Sequence, residues 1–224
     1  MNRFSIGVFG LAIASIVSGC GVHVRANDNY RYKDLDSVFG GVTVGSGAQV
    51  RNVSSVNGGV DLLAGSKARS VDTVNGSIDI GNNVSVLEAE TVNGGIEAGK
   101  SLSVEKSLST VNGGILIGEN SEIGKDIVTV NGDIELTRVL VARHVRTNNG
   151  DIRLVDGSIV KGDIIVEKSN GGWFSGLSIT GDMPVVEIDS ASQVEGTIHL
   201  YKRVKLVIDE KAIVGEIKRH YSRK

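Results

Sequence analysis

The phrase Thr-Val-Asn-Gly-Gly-Ile returns along this chain at a nearly fixed interval, and that interval constrains the fold more than any other feature. Copies run from Ser55 to Val60, Thr73 to Ile78, Thr91 to Ile96, Thr110 to Ile115 and Thr129 to Ile134, with a blurred copy from Thr147 to Ile152. The Asn residues at 57, 75, 93, 112, 131 and 149 are separated by 18, 18, 19, 19 and 18 residues. Units this short cannot each enclose a core, so they must stack on one another as a solenoid. The series starts early: in Val38-Phe39-Gly40-Gly41-Val42, Phe39 stands 18 residues before Asn57. Weaker echoes follow at Ser169-Asn170-Gly171-Gly172, at Val194 to Ile198 and at Ile213 to Ile217. Counting from Phe39 to Val214 gives about ten repeats.

The residues between the signatures decide which solenoid forms. Each Asn-Gly is followed by an apolar pair spaced by two: Val60/Leu62, Ile78/Ile80, Ile96/Ala98, Ile115/Ile117, Ile134/Leu136 and Ile152/Leu154. Period-two alternation bounded by Gly and Asn indicates short strands, and no repeat holds an amphipathic run long enough for a helix. Composition agrees, with 30 Gly, one Pro and only 4% aromatics, so aliphatic side chains must fill the interior. The expected fold is all-β, a single-stranded parallel β-helix of about ten 18–19-residue coils. At about 4.8 Å per coil it would be on the order of 45–50 Å long. Val92, Ala98 and Val104 recur every six residues, a mark of the left-handed hexapeptide form; most coils break that spacing, and the right-handed form is favoured. The Asn-Gly pairs (Asn57-Gly58, Asn75-Gly76, Asn93-Gly94, Asn112-Gly113, Asn131-Gly132, Asn149-Gly150) are expected to be structural corners needing positive φ. Their Asn side chains are expected to form a hydrogen-bonded ladder, and the Thr residues two positions earlier a second ladder on one face.

The first residues carry an address. Arg3 precedes an apolar run from Phe4 to Val17 that is short for a membrane span. It ends in Val17-Ser18-Gly19-Cys20, which resembles the lipobox of bacterial lipoproteins. That resemblance implies a signal peptide over residues 1–19, cleavage before Cys20 and acylation of Cys20; a plain secretory signal is the alternative. Gly21 stands where the lipoprotein family's inner-membrane retention signal places Asp, which implies the outer membrane. Cys20 is the single cysteine, so no intramolecular disulfide can form. Residues 20–33 read as a tether, with an N-terminal strand or cap as the alternative because Val22, Val24, Tyr30 and Tyr32 alternate. Residues 34–224 form the β-helix domain with a basic C-terminal tail.

The repeated Thr-Val-Asn-Gly-Gly-Ile pattern, over roughly residues 38 to 217, resembles adhesin-type bacterial β-helix domains and, more distantly, polymer-forming bactofilins. The resemblance implies contact at the cell surface or envelope and supplies no transferable site.

The outward position between the apolar pairs reads Asp61, Asp79, Glu97, Leu116, Glu135 and Arg153. It is either a stripe that attracts Ca²⁺ or a basic partner, or a solvated face, and the solvated face is preferred because Leu116 interrupts it and Arg153 reverses it. Asp182, Glu187 and Asp189 are close in sequence, but no partner completes a hydrolase or lyase arrangement. His23, His144, His199 and His220 share no metal-ligand spacing. Trp173 and Phe174 lie in an over-long repeat, either as a contact loop or packed back on the stack. The basic end of the chain either discourages end-to-end stacking or meets anionic headgroups. A net charge of −2 gives no reason to expect nucleic acid. The expectation is a lipid-anchored, non-enzymatic envelope protein without cofactor or metal, adhesin-like or scaffolding, contacting an envelope protein or glycan. A self-associating scaffold and a polysaccharide-active enzyme are the alternatives.

Overall fold

The computed structural model describes residues 24–26, 32–168 and 183–221. These residues form a parallel β-solenoid, as the repeat predicts. One sheet stacks ten strands, and a second, sixteen-stranded sheet carries two segments of each coil from its midpoint onward. Register follows the repeat: Ile78 pairs with Ile96, Ile96 with Ile115 and Ile115 with Ile134. Like therefore stacks on like, and the predicted apolar pairs point inward. Ile78, Ile96, Ile115, Ile134 and Ile152 are fully buried, and Ala98 is partly buried against the same core. Val24–Ala26 lies within the stretch read as a tether, yet it forms a strand paired with Val42–Val44.

The Asn-Gly corners exist, but positive φ explains only one of them, Gly150, whose φ is +155°. Gly58, Gly76, Gly94, Gly113 and Gly132 are absent from the left-handed region. They are glycine because coils approach too closely for a side chain: a Cβ on Gly94 would lie 2.1 Å from the Gly76 carbonyl oxygen. Left-handed residues instead mark the corner after the ten-stranded sheet, at Gly47, Gly65, Asn83, Ser101, Asn120, Arg138 and Asp156.

The Asn ladder is present. Asn75 Nδ2 donates to Asn57 Oδ1 at 3.0 Å, and Asn93, Asn112, Asn131 and Asn149 each continue it at 2.8–2.9 Å. The Thr column lies elsewhere than expected. Thr73, Thr91, Thr110, Thr129 and Thr147 are buried. Their hydroxyls donate to glycine carbonyls of the preceding coil, as Thr91 does to Gly76 at 2.9 Å. An interior hydroxyl without such an acceptor would be costly.

Two weak repeats fall at a different corner from the one assigned to them. Val194 pairs with Val160, in the column of Val104 and Ile123, so Val194 to Ile198 and Ile213 to Ile217 are not continuations of the Asn corner. Their glycines obey the same packing rule, since a Cβ on Gly196 would lie 2.4 Å from the Gly162 carbonyl oxygen. Between Lys168 and Met183 an insertion lengthens the register step to 34 residues, Ile164 pairing with Ile198. The echo at Ser169 to Gly172 falls outside the described residues.

The two ends differ. At the first coil Leu35, Val42, Val44, Ala48 and Val50 are all at most 5% exposed. At the last, Leu206, Ile208, Val214 and Ile217 are only partly buried, and Ile213 is 62% exposed.

Close packing and left-handed φ make opposite predictions for two glycines. Gly94→Ala forces backbone apart and should cost roughly 3 kcal/mol or more of unfolding free energy. Gly47→Ala meets nothing within 4 Å and should cost only about 1–2 kcal/mol for its φ of +72°. Denaturant unfolding of both variants tests the order, and a larger loss at Gly47 would refute the packing explanation.

Candidate functional site

The most regular surface is the outer face of the sixteen-stranded sheet beside the Asn corners. Because Thr points inward, its neighbours on either side must point out. This creates three parallel columns. Val56, Val74, Val92, Val111 and Val130 form a half-buried aliphatic stripe. The exposed Asn ladder borders it on one side. The third column reads Asp36, Ser54, Asp72, Glu90, Ser109, Val128, Arg146, Ile165, His199 and Lys218.

The ladder is terminated at both ends. Asn57 Nδ2 donates to the Val38 carbonyl at 3.4 Å, and Lys202 Nζ donates to Asn149 Oδ1 at 2.9 Å. Phe39 occupies the Asn position in the coil before Asn57 and is 59% exposed. Burial holds the Lys202 ammonium below the usual lysine range. In the neighbouring column, burial first, then the Ser70 hydroxyl in opposition and the Glu88 charge, leave Asp72 above the usual carboxylate range. Glu90 is raised as well, by burial and then by Asp72 and Glu88.

On the ten-stranded sheet, Asp61, Asp79 and Glu97 stack in register as predicted. With Leu63, Ala98 and Leu116 they line a shallow groove. Burial, then the charges of Asp61 and Glu97, raise Asp79. Further along, the reversal at Arg153 has a local reason. Its guanidinium donates to Glu135 and to Glu187, both at 2.9 Å, bridging the two adjacent coils. Among the described residues no group of three or more His, Cys, Asp and Glu could hold a metal ion.

Of the three carboxylates considered for hydrolysis, Glu187 is thus held by Arg153. Asp189 caps its own turn, accepting from Ala191 and Ser192 N–H and from Asp156 N–H. Asp182 lies outside the described residues, as do Cys20, Trp173 and Phe174. The structure brings together two histidines that the sequence kept apart: His199 Nδ1 and His220 Nε2 are 3.0 Å apart.

Sequence reasoning missed the buried serines. Ser121 and Ser158 accept from the Leu102 and Val139 N–H groups and donate to turn carbonyls. Their signal was available as a Ser three residues beyond the start of each turn. It also missed Lys202, which meets Asn149 across 53 residues and has no local pattern.

No protein-family model matches this sequence, and comparisons with curated proteins and with solved structures find no match.

The Asp79 environment gives a signed pH prediction. A carboxyl raised in the fold is disfavoured once ionised, so its penalty is fully present above the raised value. The penalty is relieved as pH falls through that value toward 3.8. Asp79→Asn should raise the thermal midpoint at pH 7 and leave it unchanged near the acid limit. An equal gain at both pH values would show that charge is not the cause.

Proposed function

We propose that this chain is an envelope lipoprotein anchored through Cys20, whose β-helix works without catalysis by contact along its outer face, adhesin-like or scaffolding. The observation that carries the reading is the in-register Val stripe beside the Asn ladder, a surface that repeats through the five coils from Val56 to Val130. Such a surface suits a partner that is itself extended, an envelope glycan or a protein strand. Along Asn75, Asn93, Asn112 and Asn131 the ladder uses one N–H and one oxygen lone pair of each side chain, so polar recognition remains available next to apolar contact. The lipobox-like Val17-Ser18-Gly19-Cys20 supports the anchor and an outer-membrane address. Lipidation with two or more chains would make that anchor stable.

A second reading, self-association, rests on a different observation. The last coil leaves apolar core positions half open and strand edges unpaired, whereas the first coil is buried. Edges of this kind pair with other chains unless something covers them. Among the described residues the apolar core is more open at the last coil than at the first, and that asymmetry favours a closed pair through the last coil over a growing polymer.

Four experiments separate these readings. Cys20→Ala should release the protein from membranes, and unchanged tight association would refute anchoring. Val92→Glu with Val111→Glu should abolish binding of the lipid-free domain to isolated envelopes while its thermal midpoint stays nearly unchanged; retained binding would remove this face from the proposal. Light scattering of the lipid-free domain should show a dimer that Ile213→Lys dissociates if the end pairs, and a strict monomer at high concentration excludes self-association. Polysaccharide cleavage by purified protein, lost on substituting an acidic residue, would replace the contact reading with an enzyme.

A further inference from the structure

We propose that the first coil is the membrane-facing end of the rod, seated among lipid headgroups by Phe39 and Tyr32. The inference rests on the anchoring at Cys20 proposed above. Cys20 stands four residues before Val24, and Val24–Ala26 is already a strand paired with Val42–Val44 of the first coil. Four extended residues reach at most about 14 Å. The headgroup layer on each side of a bilayer is about 5–8 Å thick. An acylated Cys20 sits at the inner boundary of that layer, so the first coil is held beside it or within it. Val24 and Val42 pair in parallel, and the chain therefore enters Val24 from the same side on which Phe39 precedes Val42. The anchor is tied to the side of the coil that carries Phe39.

The side chains at that end suit a lipid interface. Phe39 stands where the next coils carry Asn and is 59% exposed, and Tyr32 is 61% exposed. They are the most exposed Phe and Tyr among the described residues, and both belong to the first coil. Such rings are disfavoured in water and favoured at the headgroup boundary. Cations accompany them: Tyr32 lines one open groove with Arg51, Lys67 and Arg69. Asp34 and Asp36 oppose this charge, but Asp34 is paired with Arg51 at 2.8 Å and Asp36 accepts from the Ser54 hydroxyl. The groove thus holds more cation than anion at its first-coil end, with Glu105 at the far end. Lys67 and Arg69 lie one coil up, within the screening length of about 8–10 Å, so anionic phospholipid headgroups are preferred over neutral ones. Seated this way, the rod holds its last coil about 40 Å from the first, on the side away from the bilayer.

The test places the purified acylated protein in phosphatidylcholine vesicles, with and without phosphatidylglycerol, containing a phospholipid spin-labelled at its headgroup as quencher. Acylation consumes the thiol of Cys20, the single cysteine, so Tyr32→Cys, Phe39→Cys and Ile213→Cys each admit one fluorophore. All three positions are exposed, which leaves the core untouched. Quenching at positions 39 and 32 should exceed that at 213 severalfold. Phosphatidylglycerol should increase the quenching at position 32, and Lys67→Glu with Arg69→Glu should remove the increase. Equal quenching at all three positions, or the strongest at 213, would overturn the seating; no response to phosphatidylglycerol would overturn the preference for anionic headgroups. The mass of the N-terminal peptide keeps the two readings apart. An unacylated Cys20 refutes the anchor and this inference with it, whereas acylated protein with an unquenched fluorophore at Phe39→Cys refutes the seating alone.

Discussion

Everything in this structure depends on how closely one coil sits on the next at the Asn-Gly corner. There the Gly76 carbonyl turns toward the stack and lies against the α-carbon of Gly94, while the Thr91 hydroxyl donates to it. The arrangement makes two demands at once. The residue above must lack a Cβ, and the interior residue three positions before it must carry a donor short enough to reach. Thr meets the second demand and Gly the first, so they are fixed in relation to each other. Repetition of this contact keeps the coils in register, and register places every outer column. A surface of stacked identical side chains is therefore a consequence of an interior backbone contact.

The Asn ladder illustrates how an end can orient a whole array. A side-chain amide can point either way along the stack, and each link alone would tolerate either direction. Lys202 only donates, so Asn149 must present its oxygen there and its nitrogen to Asn131. That choice passes down to Asn57, whose nitrogen finds the Val38 carbonyl. Donor-only and acceptor-only groups at opposite ends agree on one direction, and aligned amides reinforce one another. The chain places Lys202 where an Asn ladder needs a cation.

The sequence disclosed the period, the inward pairs and the ladder, because each is written in residues that recur at a fixed spacing. It misled wherever one residue type serves two geometries. Glycine can supply left-handed φ or a missing Cβ, and at Gly94 the absent side chain was the cause while Gly47 shows the other. The weak echo at Val194 to Ile198 shares Gly and Ile with the Asn corner but closes another corner by the same close contact. Contacts between coils with no local signature stayed hidden: Arg153 between Glu135 and Glu187, Lys202 at Asn149, and His199 beside His220. Of the candidate site, the Asn column was legible as architecture. The Val stripe was not, because only the inward turn of Thr reveals that Val faces out.

The third outer column limits what can lie along this face. It begins with carboxylates at Asp36, Asp72 and Glu90 and ends with Arg146, His199 and Lys218. A uniform polyanion would meet like charge over the early coils, and a polycation would meet it over the late ones. Burial raises Asp72 and Glu90, so those carboxylates are already short of solvent, and a further anion beside them would cost more than on an open surface. A neutral chain can track the Val and Asn columns without engaging this gradient. A charged partner must itself change sign along its length. For two copies of this rod laid side by side, that condition is met only when they run in opposite directions. The same interior contact that makes the face flat and periodic thus leaves direction to be read from its charge.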